Sequence, residues 1–75
     1  MLDTEDIPIL TTLAEIELKK GNYPKALKTS GAIIRNEKTN LKAIFVRAEA
    51  LFNLCDFEHA LVLYHKGNTK KDFQN

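Results

Sequence analysis

Three side chains in this sequence could bind a soft metal ion or carry nucleophilic chemistry: Cys55, His59 and His65. Cys55 and His59 have the i, i+4 spacing that places two groups on one helical face, which would suit two zinc ligands or a thiol activated by an imidazole. Neither set is complete. A tetrahedral site needs a fourth ligand and carboxylates to orient the imidazoles, His65 stands nearly two turns past His59, and no third group is placed to orient a Cys-His pair. Incidental residues are the better reading; a small metal-dependent protein using Cys55 and the histidines is the lesser one. Gly21, Gly31 and Gly67 are too far apart for a phosphate-cradling loop, so no nucleotide and no other cofactor is expected. Lys19, Lys20, Lys25 and Lys28 form a short basic stretch that could touch an acidic surface, but cations near a helix C-terminus also simply complement its dipole.

The whole chain has 75 residues, 44% of them hydrophobic and 28% charged, which is the composition of one small soluble domain. Apolar burial for a chain of this mass contributes roughly 110 kcal/mol, and ordering the chain costs about the same. A neighbour or very efficient packing is therefore needed, and self-association is an expectation. The net charge of +1 supplies no general attraction to nucleic acid or anionic lipid. The longest apolar run, Ala60 to Tyr64, is far short of the roughly 20 residues of a membrane-spanning helix. Residues 1–6 read as an acidic N-terminal leader, unlike a secretory signal or a transit peptide. With one cysteine and no Asn-x-Ser/Thr sequon, nothing indicates an oxidising compartment, and a cytoplasmic location is expected.

The elements that must position these residues come in two copies. Sliding the sequence by 34 positions aligns Ala14 with Ala48, Glu15 with Glu49, Ala26 with Ala60 and Leu27 with Leu61. Leu18 then meets Phe52, Asn22 meets Asp56, and Tyr23 meets Phe57. A first helix is predicted from Ile7 to Lys20, capped by Asp6, with Leu10, Leu13, Ala14 and Glu17 along one face. Gly21 ends it. A second helix starts at Asn22 with Pro24 in its first turn and an inward stripe of Ala26, Leu27, Ser30, Ile33 and Ile34. After the polar run from Asn36 to Asn40, Thr39 or Asn40 caps a third helix with Ile44, Ala48 and Leu51 inward. Asp56 caps a fourth, packed through Ala60, Leu61 and Tyr64. No segment alternates as a strand would, so the fold is all-α: two antiparallel helix pairs in which Ala14, Ala26, Ala48 and Ala60 let backbones approach, with Tyr23 and Phe57 filling the wedge at each turn.

A helix-turn-helix of 34 residues with small residues at Ala14 and Ala48, a turn at Gly21 and Cys55, aromatics at Tyr23 and Phe57, and Ala26 and Ala60 beyond them resembles the tetratricopeptide repeat. That resemblance implies a short right-handed α-solenoid fragment: repeat one at 7–40, the helices of repeat two at 41–67, and a fraying tail at 68–75. Cys55 replaces the usual turn glycine, and Glu17 and Ser30 stand at bulky packing positions. The second copy is narrower in its likeness. Arg47-Ala48-Glu49-Ala50-Leu51-Phe52, followed by Asp56-Phe57-Glu58-His59-Ala60-Leu61-Val62-Leu63-Tyr64-His65-Lys66-Gly67, is similar to the early repeats of the outer dynein arm docking complex subunit four family. The resemblance implies a non-enzymatic scaffold of the cilium axoneme and cytoskeleton that helps anchor dynein arms to doublet microtubules. Its partners would be docking complex subunits, dynein or microtubule-associated proteins, with no nucleic acid and no membrane. A generic cytosolic adaptor binding a partner helix or peptide is the alternative.

In repeats of this kind the first helix of each pair lines a groove, which the resemblance assigns here to Thr11, Glu15, Leu18, Lys19, Lys42, Phe45, Glu49 and Phe52. Phe45 and Phe52, off the Ile44 stripe at i, i+7, would anchor a partner, with Glu15 and Glu49 selecting basic neighbours. A further repeat or the C-terminal tail covering both rings is the competing reading. Chaperone-binding relatives clamp a C-terminal carboxylate with Lys and Asn, but the matching positions here are Thr11, Glu15 and Val46, which supply no cation. If close approach at the alanines holds the pairs together, Ala60→Leu overpacks the contact and costs about 1–3 kcal/mol. Thermal unfolding checks this, and an unchanged midpoint would count against it.

Overall fold

The computed structural model describes residues 5–72, with side chains through residue 67. It contains four α-helices: α1 (Asp6–Lys19), α2 (Tyr23–Asn36), α3 (Leu41–Asn53) and α4 (Phe57–Asp72). Each helix packs on the next in sequence and α1 also reaches α3, so two helix hairpins stand side by side. No strand occurs among the described residues.

The first turn of each hairpin shows how closely the two copies match. At the end of α1, Asn22 donates its N–H to the carbonyl of Glu17 at 2.9 Å and Gly21 donates to Leu18 at 3.0 Å. Gly21 has φ of 79°, completing the Schellman motif that satisfies the last carbonyls of a helix. At the end of α3, Asp56 donates to Leu51 at 2.9 Å and Cys55 to Phe52 at 3.0 Å. The motif is the same, but its left-handed residue is Cys55, at φ of 67°. A side chain there crowds the following carbonyl, which is why glycine is usual.

The caps differ from the sequence expectation in two places. Asp6 does not cap α1: it lies inside the first turn, where its carboxylate favours the helix dipole, and Glu5 precedes it without a side-chain cap bond. Asn22 occupies the cap position of α2 and its carbonyl accepts the Ala26 N–H at 3.0 Å, yet its side chain makes no cap bond. Asn40 does cap α3, its Oδ1 accepting the Ala43 N–H at 3.0 Å. α4 runs through Asp72, past Gly67 where the sequence reading begins a tail; residues 73–75 lie outside the described residues.

Ala14, Ala26 and Ala48 are fully buried and Ala60 is 1% exposed, so the alanine stations lie in the helix contacts. Ala14, Ala26, Ile7, Ile33, Ala43, Val46 and Ala50 form one core cluster, against which Leu10, Leu18, Tyr23, Leu27 and Ile34 pack. Ile44, Ala48 and Leu51 line a second flank of α3, as its stripe predicts. α3 is buried on two flanks because it alone packs against all three other helices. The polar residues at bulky positions are satisfied locally. Ser30, fully buried, donates to the Ala26 carbonyl at 2.7 Å, and Thr29 donates to the Glu17 carboxylate at 2.7 Å.

Three expected inward residues are not inward. Leu13 is 42% exposed, because the buried line of α1 runs through Ile7, Thr11 and Ala14. Leu61 is 70% and Phe57 53% exposed, whereas Leu27 and Tyr23, their counterparts, pack on the core. The difference is positional: α3 lies against the first hairpin, and no described helix occupies the same place against the second.

Because Cys55 is exposed and its left-handed backbone is what the motif requires, Cys55→Gly is expected to raise stability by about 0.5–1 kcal/mol, strain relief exceeding the extra unfolded-state entropy of glycine. Urea unfolding with an unchanged slope and a higher midpoint is the expected observation. A lower midpoint would contradict it.

Candidate functional site

Of the residue types that could do chemistry, Cys55 is exposed at the turn and His59 is engaged by a carboxylate. The His59 Nδ1 lies 2.8 and 2.9 Å from the two Asp56 carboxylate oxygens, so the imidazole next to Cys55 along the helix is engaged by the cap residue of α4. Among the described residues no group of three or more His, Cys, Asp and Glu comes within reach of one metal ion. Among them too, no helix is long and apolar enough to cross a membrane.

The eight expected groove residues fall into three environments. Thr11 is 8% exposed and spends its hydroxyl on the Ile7 carbonyl at 2.8 Å, so it forms core and not a contact surface. Val46, which the sequence resemblance matches to a clamp position, is likewise buried. Glu15, Leu18 and Phe45 are half-buried; Lys19, Lys42, Glu49 and Phe52 are exposed.

The two phenylalanines have different fates. Phe45 meets Tyr64 of α4, the ring centroids 6.3 Å apart, and lies directly over Gly67. A Cβ on residue 67 would fall 2.7 Å from the Phe45 Cζ, so glycine is what allows the ring to lie down on α4. Thus α4 takes up part of the surface assigned to a partner. Phe52, in contrast, is 53% exposed and packs edge-on against Phe57, centroids 5.2 Å apart and rings at 65°. Edge-to-face pairs of this kind add roughly 0.5–1.5 kcal/mol beyond area burial.

Phe52 and Phe57 open onto a cavity of about 320 Å³ whose other walls are Ala60, Leu61 and Tyr64. No charged residue lines it. Leu61 is 70% exposed at its rim, whereas its neighbour Val62, 63% exposed, lines a separate cleft with Leu27, Arg47 and Asp56. Sequence reasoning found Phe52 but placed Phe57 and Leu61 in the interior. In the first hairpin Tyr23 and Leu27 pack on the core with α3 against them, a cover that local sequence does not report for Phe57 and Leu61.

The same flank perturbs Tyr64. Burial first, and the Glu49 carboxylate second, push the phenol above the ordinary tyrosine range. The native state then holds this proton more tightly than the unfolded chain does. The resulting contribution to stability is complete below the ordinary tyrosine range and is lost as pH rises through the raised value. Tyr64→Phe is accordingly expected to flatten the alkaline decline in stability in a series of urea titrations. Identical slopes for the two proteins would contradict that assignment.

Comparison with known proteins matches this chain to outer dynein arm-docking complex subunit 4 from several animals. It is 39% identical over 66 residues to the protein from Mus musculus, covering 88% of this chain and 11% of that relative. The match to the protein from Bos taurus is 36% over 66 residues, covering 88% of this chain and 10% of the relative. That to the Xenopus laevis protein is 36% over 74 residues, 97% of this chain and 14% of the relative. Nearly the whole chain therefore resembles these docking subunits, while it spans only about a tenth to a seventh of their length. Neither a protein-family model nor a solved structure matches the chain.

Proposed function

We propose that the chain is a non-enzymatic docking module, two tetratricopeptide-type repeats of an outer dynein arm docking scaffold, working at the ciliary axoneme through contacts with other proteins. The observation that carries the reading is the conjunction of two facts: similarity to docking subunits along most of the chain, and a bare apolar edge made by Phe52, Phe57 and Leu61. Exposed apolar clusters of this kind, with aromatics at the centre, are where protein partners gain most of their binding energy.

The internal repeat says what shape of partner this edge accepts. Leu18, Tyr23, Ala26 and Leu27 correspond to Phe52, Phe57, Ala60 and Leu61, and in the first hairpin α3 lies against this flank. An amphipathic helix with small residues at its line of closest approach, as in α3, is the matching occupant. Such a helix comes from a neighbouring docking complex protein or from a further repeat, and a second copy of this chain is the third source. Localisation to the axoneme and attachment of dynein arms to doublet microtubules follow from the docking role, not from any separate site on the chain.

A tagged chain expressed in ciliated cells tests the reading. The native sequence is expected along axonemes, and Phe52→Ser with Leu61→Ser is expected to disperse it into the cytoplasm while circular dichroism shows unchanged helix content, since both side chains are more than half exposed. Uniform cytoplasmic distribution of the native chain would favour the generic adaptor instead. Axonemal retention of the double variant would remove the apolar edge as the site.

A further inference from the structure

A second surface lies on the other side of α3. At 100° per residue Arg47 projects about 160° from Phe45 and about 140° from Phe52, toward α2. There a cleft of about 370 Å³ is lined by Leu27, Lys28, Gly31, Ile34, Arg35 and Arg47. Three of the six are cations, and none is an acid. No described carboxylate forms a salt bridge with Lys28, Arg35 or Arg47, and Asp56, which lines an adjoining cleft with Arg47, is engaged by His59. The net charge of +1 hides this concentration, because the acidic residues lie elsewhere.

Arg47 is held in place. Its Nη1 donates to the Leu27 carbonyl at 2.9 Å, across twenty residues of sequence, and the side chain is half-buried. One of the five guanidinium N–H donors is thereby used, and the others have no partner among the described residues. Gly31 explains how the group fits. A Cβ on residue 31 would stand 2.7 Å from the Arg47 Nη1, and glycine is otherwise unfavourable inside a helix. The backbone has been left bare where the guanidinium rests.

Lys28 and Arg35 are seven residues apart, about 10.5 Å along α2, with Gly31 and the Arg47 guanidinium between them. Three positive groups in a row at that pitch match carboxylates at i, i+3 or i+4, and i+7 on one face of a partner helix. The floor between them is apolar, made by half-buried Leu27 and Ile34. Three cations neutralise at most three phosphates, and the apolar floor between them has no use for a phosphate backbone. They suit a protein segment whose acids flank an apolar residue.

We propose that this cleft is a second docking site, for an acidic segment of a partner protein that sets carboxylates against Lys28, Arg47 and Arg35. It stands apart from the apolar edge and does not depend on the docking reading above. Two docking surfaces on opposite sides of α3 would let the module bridge two partners.

The test uses the full chain and a labelled oligoglutamate peptide at low ionic strength, read by fluorescence anisotropy. Lys28→Gln with Arg35→Gln is expected to weaken binding about tenfold, whereas Lys20→Gln with Lys25→Gln, which removes equal charge elsewhere, leaves it within about twofold. Gly31→Ala keeps the charge and favours the helix, yet is expected to weaken binding several-fold by displacing Arg47. Circular dichroism confirms equal helix content, and amide shifts on peptide addition are expected to cluster around Gly31 and Arg47. Equal losses from the Lys28/Arg35 and the Lys20/Lys25 double variants would reduce the effect to net charge and overturn the site. So would tighter binding of oligothymidylate than of the peptide at matched salt, or no binding of the peptide by the native chain.

Discussion

A core built largely of buried alanines is the constraint on which the rest of this structure depends. Six of the eleven buried apolar residues among those described are alanines, and the largest fully buried side chains are Ile33, Ile44 and Ser30. A core of that kind has little bulk to spread between helices, so its dispersion contacts come from backbone and Cβ atoms brought near each other. It also tolerates a polar residue such as Ser30, because a hydroxyl bonded to the Ala26 carbonyl occupies no more room than the contact allows. The glycines follow the same logic from the other direction. Gly31 and Gly67 each sit where a neighbouring side chain, Arg47 or Phe45, lies on bare helix backbone.

The two hairpins show what an identical local pattern does in unequal surroundings. Leu27 and Leu61 are the same residue at the same station of the repeat, yet one packs on the core and the other is 70% exposed. Their helices are equally well formed. What differs is the neighbour, since burial in a stacked repeat is conferred across the interface between units and not within one. The apolar edge proposed for docking corresponds to the flank of the first hairpin against which α3 lies. Its chemistry was built for a helix before any particular partner is considered.

Opposite that edge, the Arg47 cleft is made by the contact between units. Lys28 and Arg35 belong to the first repeat and Arg47 to the second, and none of the three would form a cleft alone. The hydrogen bond from Arg47 to the Leu27 carbonyl ties the two hairpins together at the same point. Recognition and assembly thus share a residue. This makes the geometry of the cleft a direct consequence of how the repeats stack.

From sequence alone came the helical class, the offset between copies, the alanine stations, an α3 cap at Thr39 or Asn40, of which the structure uses Asn40, and the turn at Gly21 with its counterpart Cys55. Those are local or pairwise matters, decided by capping, backbone freedom and periodicity, which operate over a few neighbouring residues. Legible in part was the candidate site: Phe45 and Phe52 stood out as off-stripe aromatics, but nothing local distinguishes a ring that α4 will cover from one it will leave bare. Tertiary structure alone placed Phe45 on Gly67, turned Phe57 and Leu61 outward, buried Thr11 and brought Arg47 across to Gly31. Each of these depends on which helix lies opposite, a fact carried by residues distant in the chain and therefore absent from any single stretch of it.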